Sequence, residues 1–154
     1  MRQLPLSVRV RDPALFANYL PGPNEQVLAQ LRAQAARSGA GFSWLCGPAG
    51  SGKSHLLQAL CAESAAIAYL PLSQLTPFGP AALQEWQGAA GLCLDELATV
   101  VGHVAWERAL FALYRDCEER GATLLFAARA APAELPFALA DLASRCAAAQ
   151  RLAL

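Results

Sequence analysis

Residues 47 to 54 form the segment of this chain whose types and spacing most clearly predict chemistry. They read Gly-Pro-Ala-Gly-Ser-Gly-Lys-Ser, a complete match to the P-loop pattern, with four variable residues between the first glycine and Gly-Lys-Ser. Glycines let the backbone turn through conformations that a side chain would block, so consecutive N–H groups can point at phosphate oxygens. The segment therefore predicts a nucleotide site.

Each residue type in this loop has an expected role. Lys53 would place its positive charge at the β and γ phosphates, and Ser54 would offer its hydroxyl to Mg²⁺. The helix expected to follow would present its positive N-terminus to the same anion. We expect ADP or ATP with Mg²⁺ as the ligand, and the predicted nucleotide-binding residues are Gly47, Pro48, Ala49, Gly50, Ser51, Gly52, Lys53, Ser54 and His55.

A second motif, Leu92-Cys-Leu-Asp95-Glu96, predicts the acidic half of the site. An apolar strand that ends in Asp-Glu puts one carboxylate near Mg²⁺ and the next near the attacking water. Asp95 is the expected metal-side residue, and Glu96 is the candidate general base. An ordinary acidic pair at a strand end is the alternative, but the P-loop upstream favours the catalytic interpretation.

The flanking patterns predict the elements that position these motifs. Short apolar runs indicate strands at 42–46, 67–72, 91–95, 123–128 and 151–154, and helical spacing indicates helices at 25–37, 55–64, 106–119 and 139–148. Residues 73–87 read as a loop with a helical turn or two after Pro80. On the helix 106–119 the pattern places Glu107 away from the apolar face. Strands that alternate with helices predict a parallel sheet covered on both faces.

Composition narrows the class of protein further. The chain has 154 residues, 55% of them hydrophobic and 16% charged, with a formal net charge of zero. This balance favours a single domain, without the basic surface that nucleic-acid or membrane binding would require. Five cysteines without a C-x-x-C pair suit neither a zinc site nor a disulfide framework, and we expect buried thiols in a cytoplasmic protein.

Two motifs together carry a family resemblance. Gly52-Lys-Ser-His-Leu-Leu57 and the Asp95-Glu96 strand resemble the AAA+ ATPase domain of the bacterial replication initiator DnaA and its relatives. Four more segments resemble the regulatory inactivators of DnaA, the Hda group: Gln3-Leu-Pro-Leu6, Phe16-Ala-Asn-Tyr-Leu-Pro-Gly22, Trp106-Glu-Arg-Ala-Leu-Phe111 and Asp141-Leu-Ala-Ser-Arg145. The resemblance implies a three-layer P-loop NTPase domain of AAA+ type at 25–154, after an extended segment at 1–24.

The same resemblance implies two partners. Gln3, Leu4 and Leu6 would dock into a groove of the DNA polymerase sliding clamp, although an unremarkable terminal strand is an equal interpretation from the residues alone. Arg145 would be an arginine finger, placed in trans at the nucleotide of initiator DnaA to stabilise transition-state charge. A homo-oligomer is a further possibility that the resemblance leaves open.

Two departures from the family pattern bear on activity. Ala127 and Ala128 occupy the strand end where relatives carry a small polar residue that senses the γ-phosphate, so we expect little or no hydrolysis by this chain. Relatives also continue into a small helical lid, and we expect that lid to be absent because the sequence stops at Leu154.

Three functions remain open at this point. The first is a regulator that makes DnaA hydrolyse its own ATP, and the second is an autonomous ATPase of DnaA-like or helicase-loader type. The third, a small P-loop kinase, ranks lower because residues 73–90 offer few polar groups beyond Gln74, Gln84 and Glu85 for an acceptor substrate.

Overall fold

Five parallel strands form one sheet at the centre of the chain. The structure is a computed structural model that describes residues 25–36, 41–64 and 66–154. The strand order is β2-β3-β4-β1-β5. The strands are β1 (Gly41–Cys46), β2 (Ile67–Pro71), β3 (Gly91–Asp95), β4 (Thr123–Ala128) and β5 (Gln150–Ala153), and the helices are α1 (Glu25–Ala36), α2 (Lys53–Glu63), α3 (Leu72–Leu75), α4 (Val104–Arg120) and α5 (Ala140–Ala147).

Burial explains which strands occupy the middle of the sheet. Every residue of β3 and of β4 is buried, as expected for apolar runs that are covered on both faces. The edge strand β5 buries only Leu152 and pairs with β1. All four pairings are parallel, as the alternation of strands and helices predicts.

Helices cover the sheet on two sides and produce two apolar cores. Trp44 and Phe126 face the side packed by α4 and α5, where Leu110, Leu142 and Cys146 are also buried. The other face packs against α1 and α2 and is built from Val27, Leu31, Leu45, Leu56, Leu57, Leu60 and Leu125. The three-layer arrangement predicted from the sequence is confirmed.

The sequence predicted that the cysteines are buried thiols. Cys93, Cys117 and Cys146 are buried, and all five cysteines are free. Burial raises the pKa of Cys117 to about 11 and that of Cys146 to about 12, so both thiols stay protonated at neutral pH.

Within the described ranges no helix is both long enough and apolar enough to cross a membrane.

The segment after β2 is helical at 73–78, where a loop was expected, and the helical turn or two expected after Pro80 is confirmed by the structure at 80–86. The helix α3 continues into two 3₁₀ segments, Thr76–Phe78 and Pro80–Trp86. Leu75, Ala82 and Leu83 are buried in the core on the α4 side. Pro and Gly divide this helical structure into short segments, which pack against α4. Segments this short do not show a helical spacing of apolar residues in the sequence.

Glu107 was placed on the wrong face of its helix by the apolar pattern. Its side chain is fully buried and accepts hydrogen bonds from the backbone N–H groups of Gly102 at 2.6 Å, Ala138 at 2.9 Å and Leu139 at 2.8 Å. The carboxylate thereby fastens the segment before α5 to the first turn of α4. Two of the donors lie about thirty residues downstream, so no local pattern could indicate them.

We predict that Glu107→Ala lowers the free energy of unfolding by about 3 kcal/mol, because three buried N–H groups lose their acceptor. Urea unfolding followed by circular dichroism measures this change. Glu119→Ala, which removes an exposed carboxylate from the same helix, should change the free energy by less than about 0.5 kcal/mol. Equal effects of the two substitutions would contradict the conclusion that Glu107 fastens the segment before α5 to α4.

Candidate functional site

The strand order brings the two predicted motifs to one edge of the sheet. β4 lies between β1, which leads into the P-loop, and β3, which ends at Asp95. Parallel strands open their carboxyl ends at the same edge, where ligands of such sheets bind. A cleft of about 500 Å³ lies there, a volume that suits a small ligand. It is lined by Ala49, Gly50, Lys53, Ser54, Asp95, Glu96, Ala98, Thr99, Ala128 and Arg129.

The loop conformation requires its glycines. Gly50 and Gly52 have φ values of +83° and +90°, in the left-handed region that side chains rarely adopt. Gly47 is needed for space, since an added Cβ would lie 2.7 Å from Oγ of Ser51. That hydroxyl oxygen is itself buried and has no hydrogen-bond partner in the described part of the chain. The loop is therefore compact, with polar capacity left unused, which suits an anion.

The start of α2 supplies further donors. The helix begins at Lys53 immediately after Gly52, and no side chain caps its N-terminus. The N–H groups of the first turn therefore remain available, and the helix dipole favours a negative charge at this point. Lys53 lines the cleft. His55 lies in the same first turn, half-buried and outside the cleft lining.

Asp95 is the best-anchored side chain of the site. It is 1% exposed, and its Oδ2 accepts hydrogen bonds from Oγ of Ser54 at 2.6 Å and from the hydroxyl of Tyr69 at 2.7 Å. Its Oδ1 accepts from the backbone N–H of Glu96 at 2.8 Å. Burial, reinforced by the negative charge of Asp95, raises the pKa of Tyr69, so that hydroxyl remains a donor.

The pair of Ser54 and Asp95 fits a magnesium ion. A hydroxyl and a carboxylate 2.6 Å apart are the hard oxygen ligands that Mg²⁺ prefers, and that ion usually completes its shell with phosphate oxygens and water. No group of three or more His, Cys, Asp or Glu side chains that could hold a metal occurs among the described residues.

Glu96 lines the cleft in an unusual conformation. Its φ is +60°, which no other non-glycine residue of the described ranges shares in sign, and such strain is typical of functional positions. Its Oε1 accepts hydrogen bonds from Oγ of Ser73 at 2.5 Å and from the N–H of Ser73 at 3.4 Å. Ser73, the second residue of α3, thus holds the side chain of the candidate general base. Its role in catalysis stays a prediction.

The end of β4 completes the cleft between the loop and Asp95. Ala127 is buried in the core on the α2 side, whereas Ala128 lines the cleft and offers only a methyl group. The N–H of Gly47 donates to the carbonyl of Ala128 at 3.2 Å, which joins this strand end to the P-loop. Arg129 follows directly, exposed and in the cleft lining. Sequence reasoning missed it, although its place after the strand end was a usable signal.

Arg145 does not line the P-loop cleft of its own chain. It is exposed on α5, and its guanidinium carbon is 5.9 Å from the ring centroid of Tyr114. That ring is 5.0 Å from the ring of Phe42, the second residue of β1. The P-loop follows the other end of β1, about 13 Å further along the strand. Gln3, Leu4 and Leu6 lie outside the described residues.

Comparison with known proteins establishes the fold of this chain. No family model matches the sequence. A DNA replication initiation factor superposes with a TM-score of 0.76 and 16% identity over 92% of this chain and 49% of that one. AMPPCP-bound DnaA from Aquifex aeolicus has a TM-score of 0.72 and 17% identity, over 94% and 50%. DnaI has a TM-score of 0.72 and 14% identity, over 94% of each chain.

This chain has the AAA+ P-loop NTPase fold. The predicted fold class is confirmed by these similarities together with the strand order and the P-loop between β1 and α2. At such low identities the likeness is one of fold alone. The chain spans about half of the length of the first two proteins, the replication initiation factor and DnaA.

We predict that Tyr69→Phe destabilises the site, because Asp95 keeps its burial but loses the donor at 2.7 Å. The free energy of unfolding should fall by about 1.5–3 kcal/mol, as for other lost hydrogen bonds to a charged group. Thermal unfolding without nucleotide measures the loss. Tyr114→Phe is the matched control, since it removes a hydroxyl that donates to the exposed Glu118 at 3.0 Å. A larger loss in the control would contradict the anchoring role of Tyr69.

Proposed function

We propose that this chain is a nucleotide-binding AAA+ regulator of chromosomal replication initiation. In this proposal it joins initiator DnaA and the sliding clamp in the cytoplasm and stimulates ATP hydrolysis by DnaA. Support comes from the P-loop cleft and from the fold likeness to replication proteins, one of which binds AMPPCP, an analogue of ATP. The segments that resemble the Hda group make the proposal more specific than the fold does.

The cleft residues support the proposed nucleotide binding. The N–H groups of the loop and of the first turn of α2 would surround the phosphates, and Lys53 would neutralise part of their charge. Ser54 and Asp95 would hold Mg²⁺, and the ion would supply positive charge that offsets part of the phosphate charge. Tyr69 keeps the carboxylate of Asp95 oriented through its hydrogen bond at 2.7 Å.

The cleft is better arranged to hold nucleotide than to hydrolyse it. Ala128 offers no hydrogen-bonding side chain where a terminal phosphate or a water would need one. The carboxylate of Glu96 accepts two hydrogen bonds from Ser73, so Oε1 of the candidate base is already engaged. The nucleotide would then serve mainly to order the domain, and ADP would suffice for that purpose.

The position of Arg145 is the observation that carries the regulatory role. Its guanidinium is exposed over Tyr114, on a helix whose start is fastened by Glu107, and far from the cleft of the same chain. A cation held in this way can reach the nucleotide of another subunit and stabilise the charge of its transition state. In the proposed complex that subunit is DnaA. Gln3, Leu4 and Leu6 would supply the contact with the clamp.

An autonomous ATPase is the second candidate. Glu96 favours it, since the side chain lines the cleft next to Asp95 and could be released from Ser73 when nucleotide binds. Hydrolysis by the chain alone, lost in Glu96→Gln, would distinguish this candidate from the regulator.

We predict that the purified chain accelerates ATP turnover by DnaA in the presence of DNA-loaded clamp, and that Arg145→Ala lowers this stimulation at least tenfold. An arginine finger that is removed leaves transition-state charge unbalanced, and losses of roughly a thousandfold or more are typical. Phosphate release under single-turnover conditions measures the effect. Omission of the clamp should also reduce stimulation.

Arg115→Ala is the matched control for that experiment. Arg115 also lies on the surface with its guanidinium carbon 5.9 Å from a ring centroid, that of Phe111, so the substitution removes a similar contact. It should leave stimulation within twofold of the unaltered chain. Full stimulation by Arg145→Ala would refute the regulatory role assigned to this residue.

A further inference from the structure

A second pocket lies at the amino ends of β1 and β4, beside the last turns of α4 and away from the P-loop cleft. Its volume is about 180 Å³. Ligands of drug size occupy roughly 300 Å³ or more, so this pocket suits one long side chain rather than a cofactor. Two aromatic rings, one carboxylate and three smaller apolar groups form most of its lining, which includes Phe42, Tyr114, Glu118, Cys117, Ala122 and Leu124.

The walls of the pocket are mainly apolar. The rings of Phe42 and Tyr114 have centroids 5.0 Å apart and are tilted by 56° to one another. Leu124 lies beside them and is 1% exposed. The methylene stem of a lysine or arginine side chain can pack against such walls while its charged end reaches a polar group.

Glu118 supplies that polar group, because it alone is charged among the described residues that line the pocket. Its Oε2 accepts a hydrogen bond from the hydroxyl of Tyr114 at 3.0 Å. Burial, reinforced by this bond to Glu118, raises the pKa of Tyr114, so the hydroxyl remains a donor. Neither ion pair of the described ranges includes Glu118. Its carboxylate therefore lies at the pocket with no described cation paired to it.

We propose that this pocket binds a lysine or arginine side chain of the protein that Arg145 contacts. The inference rests on the proposed function, in which that protein is DnaA. A protein that covered Arg145 would also cover the pocket, because Arg145 lies 5.9 Å from the ring of Tyr114, which lines it. Burial of the Glu118 carboxylate would then be costly unless a cation met it. An apolar group would fit the walls but would leave that carboxylate unpaired.

The two neighbouring charges would fix the orientation of the partner. Arg145 presents a positive charge to a phosphate group, and Glu118 presents a negative charge on the other side of the same tyrosine ring system. A surface that changes sign in this way accepts a complementary partner in one register and repels it in others. A basic side chain seated at Glu118 would therefore help to place the nucleotide of the partner at Arg145.

Nα-acetyl-arginine amide and Nα-acetyl-lysine amide are the probes for the pocket itself, and Nα-acetyl-norleucine amide is their uncharged match. Two-dimensional NMR of the isotope-labelled full chain follows the backbone N–H signals of Gly41, Ala122 and Leu124, which lie in the lining. We expect saturable shifts with a basic probe and none with the norleucine probe. Binding should be about fivefold or more weaker in Glu118→Gln, because a charge-assisted contact is lost. Equal binding of basic and uncharged probes, or no binding of any, would overturn the inference.

Affinity for immobilised DnaA tests the partner. We expect the dissociation constant to rise about fivefold or more in Glu118→Gln and to stay within about twofold in Glu119→Gln. Glu119 is the matched control, since it is the next residue, is also exposed and does not line the pocket. The amide oxygen of the Glu118→Gln side chain can still accept from Tyr114, so thermal unfolding should be unchanged.

The two measurements separate the inference from the proposed function. Equal affinities of Glu118→Gln and Glu119→Gln for DnaA would overturn the inference alone. An unaltered chain that bound a basic probe but not DnaA would overturn the proposed function and leave the binding site at Glu118 intact.

Discussion

The parallel register of three central strands is the constraint on which the site depends. Thr123 at the start of β4 pairs with Gly41 of β1 on one side and with Gly91 of β3 on the other, so the three strands begin level. They therefore also end close together, at the edge where the P-loop and Asp95 are needed. Gly91 also leaves room for the neighbouring strand β2, because an added Cβ would lie 2.9 Å from the side chain of Ile67, its partner there. A shift of one residue in any pairing would move a phosphate or metal ligand to the other face.

Two buried carboxylates join the elements that carry the candidate functional residues. Asp95 is bound by donors from α2 and β2, which aligns the Ser54 hydroxyl with the strand edge. Glu107 is bound by backbone donors before α4 and before α5, which holds the helix that carries Arg145. Both are surrounded by hydrogen-bond donors rather than by cations. The chain has only 16% charged residues, and in its described part the buried charges lie where they join elements together.

The cleft and Arg145 thus lie near opposite ends of the strands. The cleft at the carboxyl edge contains the loop, Lys53 and the paired Ser54 and Asp95. Arg145 lies near the amino end of β1, supported by the stacked rings of Tyr114 and Phe111, whose centroids are 6.1 Å apart. In the proposed function, the cleft would hold the nucleotide at one end of the strands and Arg145 would face a second protein at the other.

The sequence by itself determined the P-loop, the acidic pair and nearly every strand and long helix, because each depends on short-range chemistry. Glycine spacing sets the loop conformation at Gly50 and Gly52, and apolar periodicity sets β3, β4 and α4. Only the tertiary structure decided that Glu107 is buried and that residues 73–78 are helical. These features arise from partners that are distant in the chain, and strand order alone brings such partners together.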